Sequence, residues 1–193
     1  MNVRRHICYL TGTRADFGLL QSTLVRMNSH AAVRLSIVAT GTHLSDLYGN
    51  TLDEIRAAGL HVAAALPTEL GTTRASMTRA IGELIIQLIP TLQQIAPDCL
   101  LVLGDRGEML AGAICAGHLG IPVVHIHGGE RSGTIDEPVR HAISKLSHLH
   151  LVATDESRMR LIRMGESPDT VFVTGAPGLD GLKAMACVSR LSL

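Results

Sequence analysis

The sequence predicts a doubly wound, parallel α/β sheet. Short apolar runs alternate along the chain with longer segments of helical period, and this alternation is typical of a parallel sheet. Several of the apolar runs lack polar alternation, as expected for strands that helices cover on both faces. The chain has 193 residues, of which 46% are hydrophobic and 18% charged. It can therefore bury the core of one sizeable domain or of two small ones.

The individual elements follow from the length and the flanks of each segment. Seven apolar runs are predicted as strands: 6–10, 33–39, 60–65, 98–103, 122–126, 149–153 and 170–174. Six segments between them are predicted as helices: 17–28, 49–58, 74–95, 108–118, 137–146 and 157–164. The sequence shows no internal repeat or low-complexity tract that would divide it further.

The charge balance excludes some classes of partner. Lysine and arginine together number 17, as do aspartate and glutamate, so bulk charge does not favour nucleic acid or a membrane surface. No stretch approaches the ~18 apolar residues of a membrane span. The apolar run after Arg4 and Arg5 is too short for a signal peptide. We expect a cytoplasmic protein with no membrane or nucleic-acid partner.

Polar side chains follow the predicted strands where each strand ends. The ionisable ones include His43, Asp105, Arg106 and Glu130. The carboxyl ends of parallel strands meet at one edge of the sheet, which is where open α/β sheets bind ligands. Ordinary turn chemistry explains the glycines and threonines of these segments, but it does not require the ionisable side chains. A site at this edge is the favoured interpretation.

The first of these turns, residues 11–16, has two interpretations. Free N–H groups and the helix dipole attract an anion there, and Arg14 could add a bidentate contact to a phosphate. Asp16 could instead simply cap the helix. The segment fits neither a dinucleotide fingerprint nor a P-loop. The sequence leaves the choice between phosphate loop and plain turn open.

Six of the ten histidines lie between residues 118 and 150. On a strand, His125 and His127 would project to the same face. Three interpretations compete: a metal site that uses the H-x-H pair, acid–base chemistry on a sugar with nearby carboxylates, or histidines that only connect strands to helices. The carboxylates for the second interpretation are Asp105, Glu130 and Asp136.

The helix after the histidine pair carries further candidates. Thr134 and Glu137 fit a capping box. Asp136 and Arg140 are four residues apart and would share one helical face. His148 would lie two turns beyond Arg140 on nearly the same face.

Five segments carry a family resemblance that spans residues 5–182. They read TGTRADFGLL, GTHLSDLYGNT, LGDRGEMLAGA, HIHGGERSGTIDEPVRHAISKLSHLH and VFVTGAPGLD. Together they resemble the hydrolysing UDP-N-acetylglucosamine 2-epimerases of sialic-acid and related sugar pathways. The non-hydrolysing relatives typically open with GTRPE, whereas Ala15 and Asp16 stand at the last two positions here.

The resemblance implies a fold and a reaction. It implies the Rossmann-like N-terminal half of a two-domain enzyme of the GT-B type, with the active site between the domains. UDP would leave by elimination across C1–C2 of the sugar, and water would add to the resulting 2-acetamidoglucal to give N-acetylmannosamine. No metal and no nicotinamide cofactor would be needed, and the full-length family implies a homo-oligomer.

The resemblance also assigns roles by position. Asp105, Asp136 and Arg140 match catalytic positions, and the sequence does not decide which aspartate takes the C2 proton. Where part of the family has a catalytic glutamate this chain has His127, so that role falls to His127 or Glu130. The substrate-binding positions are Arg14, His43, Arg106, His125, His148 and His150.

The resemblance predicts residues 1–182 as the N-terminal domain and residues 183–193 as the start of a linker to a second domain that is absent from the chain. That domain would supply most uridine contacts, so we expect little turnover from the chain alone. Three alternatives remain: a non-catalytic domain that binds partner subunits, an epimerase for a UDP-diacetamido-trideoxy hexose, and a metal-dependent hydrolase.

Overall fold

The computed structural model describes residues 4–69 and 73–180. Within these ranges one parallel sheet holds seven strands, in the order β3-β2-β1-β4-β5-β6-β7. The strands are β1 (Arg5–Thr11), β2 (Val33–Thr40), β3 (Val62–Leu66), β4 (Cys99–Leu103), β5 (Val123–Ile126), β6 (Leu149–Val152) and β7 (Val171–Val173). All seven predicted strands are confirmed, as is the doubly wound fold.

The six predicted helices are also present. They are α1 (Arg14–Ser29), α2 (Leu52–Ala57), α3 (Arg74–Ile95), α4 (Gly107–His118), α5 (Asp136–Leu146) and α6 (Asp155–Arg163). Helix α2 begins three residues later than predicted. Gly49 and Asn50 both have positive φ angles, +83° and +47°, and a right-handed helix cannot include them.

Helices pack on both faces of the sheet. On one face, Phe17, Leu20 and Leu24 of α1 are fully buried against the strands. On the other face, Leu84 and Leu88 are buried in the same way, together with Leu92 one turn further along α3. This two-sided burial explains why the strands lack polar alternation. Residues 181–193, which contain the predicted linker at 183–193, lie outside the described residues.

The strand order reverses between β1 and β4, which are neighbours in the sheet although β2 and β3 lie between them in sequence. A crevice opens at such a point, because successive connections leave in opposite directions. The turns after β1, β4 and β5 therefore surround one location at the carboxyl edge.

The turn after β1 is held by Asp16. Its carboxylate accepts hydrogen bonds from the backbone N–H of Gly12 (3.1 Å) and of Thr13 (2.9 Å). The hydroxyl groups of Tyr9 and Thr11 also donate to it. Thr13 and Asp16 form a capping box at the start of α1. The capping interpretation of Asp16 is therefore confirmed, and the same carboxylate occupies two N–H groups that a phosphate would need.

Candidate active site

Three charged side chains meet at the carboxyl edge. Arg140, in the second turn of α5, donates through Nη1 to Glu130 Oε2 (2.8 Å) and through Nη2 to Asp105. The Arg140 side chain is 11% exposed, against 21% for Asp105 and 32% for Glu130. The guanidinium group therefore fixes two carboxylates side by side while each keeps access to solvent. This arrangement, with His127, is called the Arg140 cluster below.

Asp105 owes its position to the end of β4. The strand stops at Leu103, and Gly104 turns the chain with a φ of +82°. The Gly104 carbonyl accepts a hydrogen bond from Nε2 of His125 (2.7 Å), whose Nδ1 lies 3.1 Å from the Ser144 hydroxyl. Since a carbonyl oxygen only accepts, the neutral His125 ring carries its proton on Nε2. His125 is fully buried. Its hydrogen bond to Gly104 fixes the backbone beside Asp105.

Burial lowers the pKa of His125 to about 3. The folded pKa lies below that of an unfolded histidine, so the unfolded chain binds more protons between the two values. The contribution of this residue to stability is fully present above pH ~6.5 and falls as the pH drops, by about 1.4 kcal/mol per pH unit. We expect His125→Gln to flatten the acid side of the stability curve by that amount.

Denaturant unfolding of the chain between pH 7.5 and 5 measures this slope. The exposed His61 is a matched control, and His61→Gln should leave the slope as in the parent chain. An unchanged slope in His125→Gln would contradict a buried, neutral His125.

Glu130 follows a tightly packed turn. A Cβ added to Gly128 would lie 2.9 Å from the Ser144 hydroxyl oxygen, and one added to Gly129 would lie 2.5 Å from the Ser157 carbonyl oxygen. Both positions therefore need glycine. The turn rests on the helices behind it and directs Glu130 back toward Arg140.

His127 lies at the start of that turn with a φ of +62°. A left-handed histidine stores backbone strain, and such residues concentrate at functional sites. Its Nδ1 lies 3.8 Å from Glu130, and its buried Nε2 has no hydrogen-bond partner within residues 4–69 and 73–180. Because β5 ends at Ile126 and the chain turns at His127, strand alternation does not extend to His127, and the prediction that it pairs with His125 on one face is wrong.

Asp136 and Arg106 line an open cavity of about 330 Å³, and Arg106 directly follows Asp105 in the chain. Asp136 is the first residue of α5 and accepts a hydrogen bond from the Thr134 hydroxyl (3.1 Å). It does not pair with Arg140, whose side chain extends to the strand ends. The Thr134–Glu137 capping box is also wrong, because Glu137 accepts instead from the backbone N–H groups of residues 132 and 133.

Sequence reasoning missed Glu108. Its carboxylate pairs with Arg106 (3.1 Å) and packs against the turns after β1 and β2. A Cβ on Gly12 would lie 3.1 Å from it, and a Cβ on Gly41 would lie 2.7 Å from the Gly12 carbonyl oxygen. The available signal was a glutamate in the first turn of the helix that follows Asp105.

A family model described as UDP-N-acetylglucosamine 2-epimerase matches residues 25–192. The chain belongs to this family. It is 55% identical over 177 residues to a Legionella pneumophila protein named UDP-N,N'-diacetylbacillosamine 2-epimerase (hydrolyzing), covering 91% of the chain and 47% of that protein. It is 33% identical over 192 residues to the Campylobacter jejuni GDP/UDP-N,N'-diacetylbacillosamine 2-epimerase (hydrolyzing), covering 98% and 50%.

The fold agrees with solved structures of the epimerase family. The Neisseria meningitidis UDP-GlcNAc 2-epimerase, whose crystal structure holds UDP-GlcNAc, matches with a TM-score of 0.81 and 24% identity over 94% of this chain and 49% of that one. The chain thus spans about half the length of the relatives it matches. The predicted N-terminal, GT-B-like half of an epimerase is confirmed.

Two predicted substrate-binding residues near the first turns, His43 and Arg14, are paired with side chains of the protein itself. His43 is fully buried, with Nε2 2.9 Å from the Thr11 hydroxyl and Nδ1 2.7 Å from that of Thr51. Burial lowers its pKa. Both ring nitrogens are in use, so His43 positions the turns and does not reach a ligand. Arg14 is exposed and pairs with Glu54 (3.1 Å).

The structure places two further predicted substrate-binding residues away from the Arg140 cluster. Helix α5 ends at Leu146, so His148 does not continue its face. Its Nδ1 accepts from the backbone N–H of Val123, at the opposite, amino end of β5. His150 lies inside β6 and is fully buried, with Nε2 3.3 Å from Glu166. The prediction that these two histidines contact substrate is therefore not supported by their positions.

Two broader features concern the described ranges only. Within residues 4–69 and 73–180, no three His, Cys, Asp or Glu side chains are grouped to hold a metal ion, and both nitrogens of His125 are hydrogen-bonded. No helix there is long and apolar enough to span a bilayer.

Proposed function

We propose that this chain is the N-terminal half of a hydrolysing 2-epimerase that acts on a UDP-2-acetamido sugar. The observation that carries the proposal is the Arg140 cluster, in which one guanidinium group holds two carboxylates beside a strained histidine. The Legionella and Campylobacter relatives are both named as hydrolyzing 2-epimerases, which supports the reaction type.

The first step is an elimination. Asp105 takes the proton from C2, and the C2–H electron pair becomes the second bond between C1 and C2. The C1–O bond breaks, and its pair leaves with UDP. The C2 proton is not acidic, so the base must act while C1 already carries positive character, and neighbouring carboxylates stabilise that charge. Asp105 suits the role because Arg140 engages only its Oδ2, which leaves Oδ1 for the substrate.

The second step is a hydration. The hydroxyl of water adds to C1 of the 2-acetamidoglucal. A proton adds to C2 on the face opposite to the one from which the C2 proton was removed, and this gives the free 2-epimer. We assign proton exchange in this step to Glu130 and His127. The assignment is supported by the 3.8 Å distance between His127 Nδ1 and Glu130 Oε1 and by His127 Nε2, which has no partner in the described ranges. Asp136 lines the same cavity as Arg106, and we assign to it the orientation of the sugar.

Substrate binding needs the other half of the cleft. Arg106 is the cation at this edge that faces the cavity, and it would meet the departing diphosphate. Most uridine contacts would come from the second domain, as the resemblance implies. A cytoplasmic location, independence from cofactors and homo-oligomer formation remain predictions.

We expect the chain alone to release UDP from UDP-N-acetylglucosamine at no more than about a thousandth of a full-length relative's rate, because it spans about half the length of those relatives and the reaction depends on substrate positioning. A fusion of this chain to the second half of the Legionella pneumophila relative, called the two-domain fusion below, should restore turnover. A coupled assay for UDP measures both. A fusion that folds and binds UDP but does not release it from the sugar contradicts the proposed function.

A further inference from the structure

Arg106 and Glu108 form an ion pair across the start of α4. Arg106 is the residue before the helix, and Glu108 lies in its first turn. Nε of Arg106 donates to Glu108 Oε2 (3.3 Å), and Nη2 donates to Oε1 (3.1 Å). The carboxylate therefore binds one edge of the guanidinium group with both oxygens, which fixes the plane of the group as well as its position.

The second edge of the Arg106 guanidinium group stays available. It lies between Nη1 and Nη2, and it can bind two oxygens of a phosphate in the same bidentate way. The hydrogen bonds of Arg106 to described residues involve only Nε and Nη2. The Arg106 side chain is 48% exposed and lines the cavity. Glu108 therefore orients Arg106 without competing with a ligand for the same hydrogen atoms.

Glu108 is itself held in a narrow slot between two turns. A Cβ added to Gly12, after β1, would lie 3.1 Å from the Glu108 carboxyl carbon. One added to Gly41, after β2, would lie 3.1 Å from Oε1. The backbone N–H of Thr42 donates to the Gly12 carbonyl (2.9 Å), which joins the two turns. The Glu108 side chain is 18% exposed, so its carboxylate has little freedom to move.

The helix that carries the pair is also fixed. Met109 is fully buried. A Cβ added to Gly112 would lie 2.6 Å from Leu10 Cδ2, so α4 lies directly on β1 at this point. A glutamate in the first turn of a helix also interacts favourably with the helix dipole. That interaction needs only the charge, and it accounts for neither the slot nor the two hydrogen bonds to Arg106.

We propose that Glu108 is a positioning residue, which holds Arg106 so that its free edge meets the departing diphosphate. The inference rests on the proposed function and deepens it. Negative charge on the diphosphate grows as the C1–O bond breaks. A cation that is already oriented stabilises this transition state more than the bound substrate. The contribution of Glu108 therefore lies mainly in kcat and acts through Arg106.

Steady-state UDP release by the two-domain fusion tests the proposal. Glu108→Gln keeps the shape of the side chain in its slot but removes its charge and one of its two acceptors. We expect kcat to fall about tenfold with KM changed less than about threefold, since the loss is in the transition state. Arg106→Gln removes the cation itself and should lower kcat about a hundredfold.

The double variant decides whether Glu108 acts through Arg106. Two residues that work through one interaction are not additive. Arg106→Gln with Glu108→Gln should therefore have the kcat of Arg106→Gln alone, within about twofold. A role in helix stability alone would instead lower the denaturant midpoint of Glu108→Gln and leave kcat unchanged. Asp53→Asn is the matched control, because Asp53 is an exposed carboxylate paired with Arg56 (3.0 Å).

The ion pair is also measured without turnover. In the chain labelled with ¹⁵N at arginine, NMR gives the rate at which the Arg106 Nε–H exchanges with water. We expect this exchange to be at least threefold slower in the parent chain than in Glu108→Gln. Inorganic pyrophosphate, added into the millimolar range, should leave the slow exchange of the parent chain in place, because Glu108 keeps its edge.

The outcomes separate this inference from the proposed function. An unchanged kcat in Glu108→Gln overturns the positioning role, as does a double variant about tenfold slower than Arg106→Gln. Equal Nε–H exchange in the parent chain and Glu108→Gln also overturns it, and so does exchange that pyrophosphate accelerates. In each of these cases UDP release by the parent fusion still supports the proposed function. If the parent fusion releases no UDP, the proposed function fails, and the exchange rates alone decide whether Glu108 holds Arg106.

Discussion

Asp105→Asn is expected to lower kcat for UDP release by the two-domain fusion about a thousandfold. The substitution keeps the size of the side chain and its hydrogen bond to Arg140, but it removes the oxygen anion that takes the C2 proton. Loss of a positioned general base typically costs 10²- to 10⁴-fold. The measurement is steady-state UDP release with saturating UDP-sugar, so that a change in KM does not obscure the change in kcat.

Two controls accompany this variant. Asp53→Asn changes an exposed carboxylate, 78% accessible and paired with Arg56 on α2, and should leave kcat unchanged. Asp136→Asn tests the other candidate for the base. If Asp136→Asn abolishes the loss of the C2 proton while Asp105→Asn retains it, the roles of the two aspartates are the reverse of those proposed.

Arg140→Met is expected to lower both stability and turnover. Methionine keeps the packing of the alkyl part of the side chain, but Asp105 and Glu130 then face each other without the cation between them. Removing one partner from a buried pair costs about 3–5 kcal/mol. Since both carboxylates are partly exposed, we expect a decrease of about 2 kcal/mol in the free energy of unfolding. Turnover by the fusion should fall at least a hundredfold.

Chemical denaturation of the chain measures the stability change, and UDP release by the fusion measures the change in turnover. Arg56→Met is the matched control, because the Arg56–Asp53 pair lies in solvent with exposures of 60% and 78% and should contribute less than 0.5 kcal/mol. If Arg140→Met unfolds at the same denaturant concentration as the parent chain, the Arg140 cluster does not hold its carboxylates as described.

The sequence predicted the sheet well because the signal was local. Each strand was an apolar run of four to eight residues, and each helix had its own period and flanks. The late start of α2 was missed because Gly49 and Asn50 adopt positive φ angles, which depend on the turn as a whole. His148 was misplaced because the period of α5 was extended past Leu146, where the chain becomes extended at Ser147.

The candidate site was only partly predictable, because its contacts join distant segments. Asp105 and Glu130 each follow a predicted strand, and this position predicted that both lie at the carboxyl edge of the sheet. The spacing of Asp136 and Arg140 predicted only a shared helical face, whereas the Arg140 side chain reaches residues 35 and 10 positions away in sequence. The burial of His43 between the hydroxyls of Thr11 and Thr51 depends on three turns meeting, which no local pattern encodes.

The central claim is that the Arg140 cluster breaks the C2–H bond and then hydrates the product. Proton NMR of the two-domain fusion with UDP-N-acetylglucosamine in deuterated buffer tests it most directly. The proposed reaction gives UDP and N-acetylmannosamine that carries deuterium at C2, and Asp105→Asn gives neither. Release of N-acetylglucosamine with its C2 proton retained would show simple hydrolysis at C1 and would contradict the elimination.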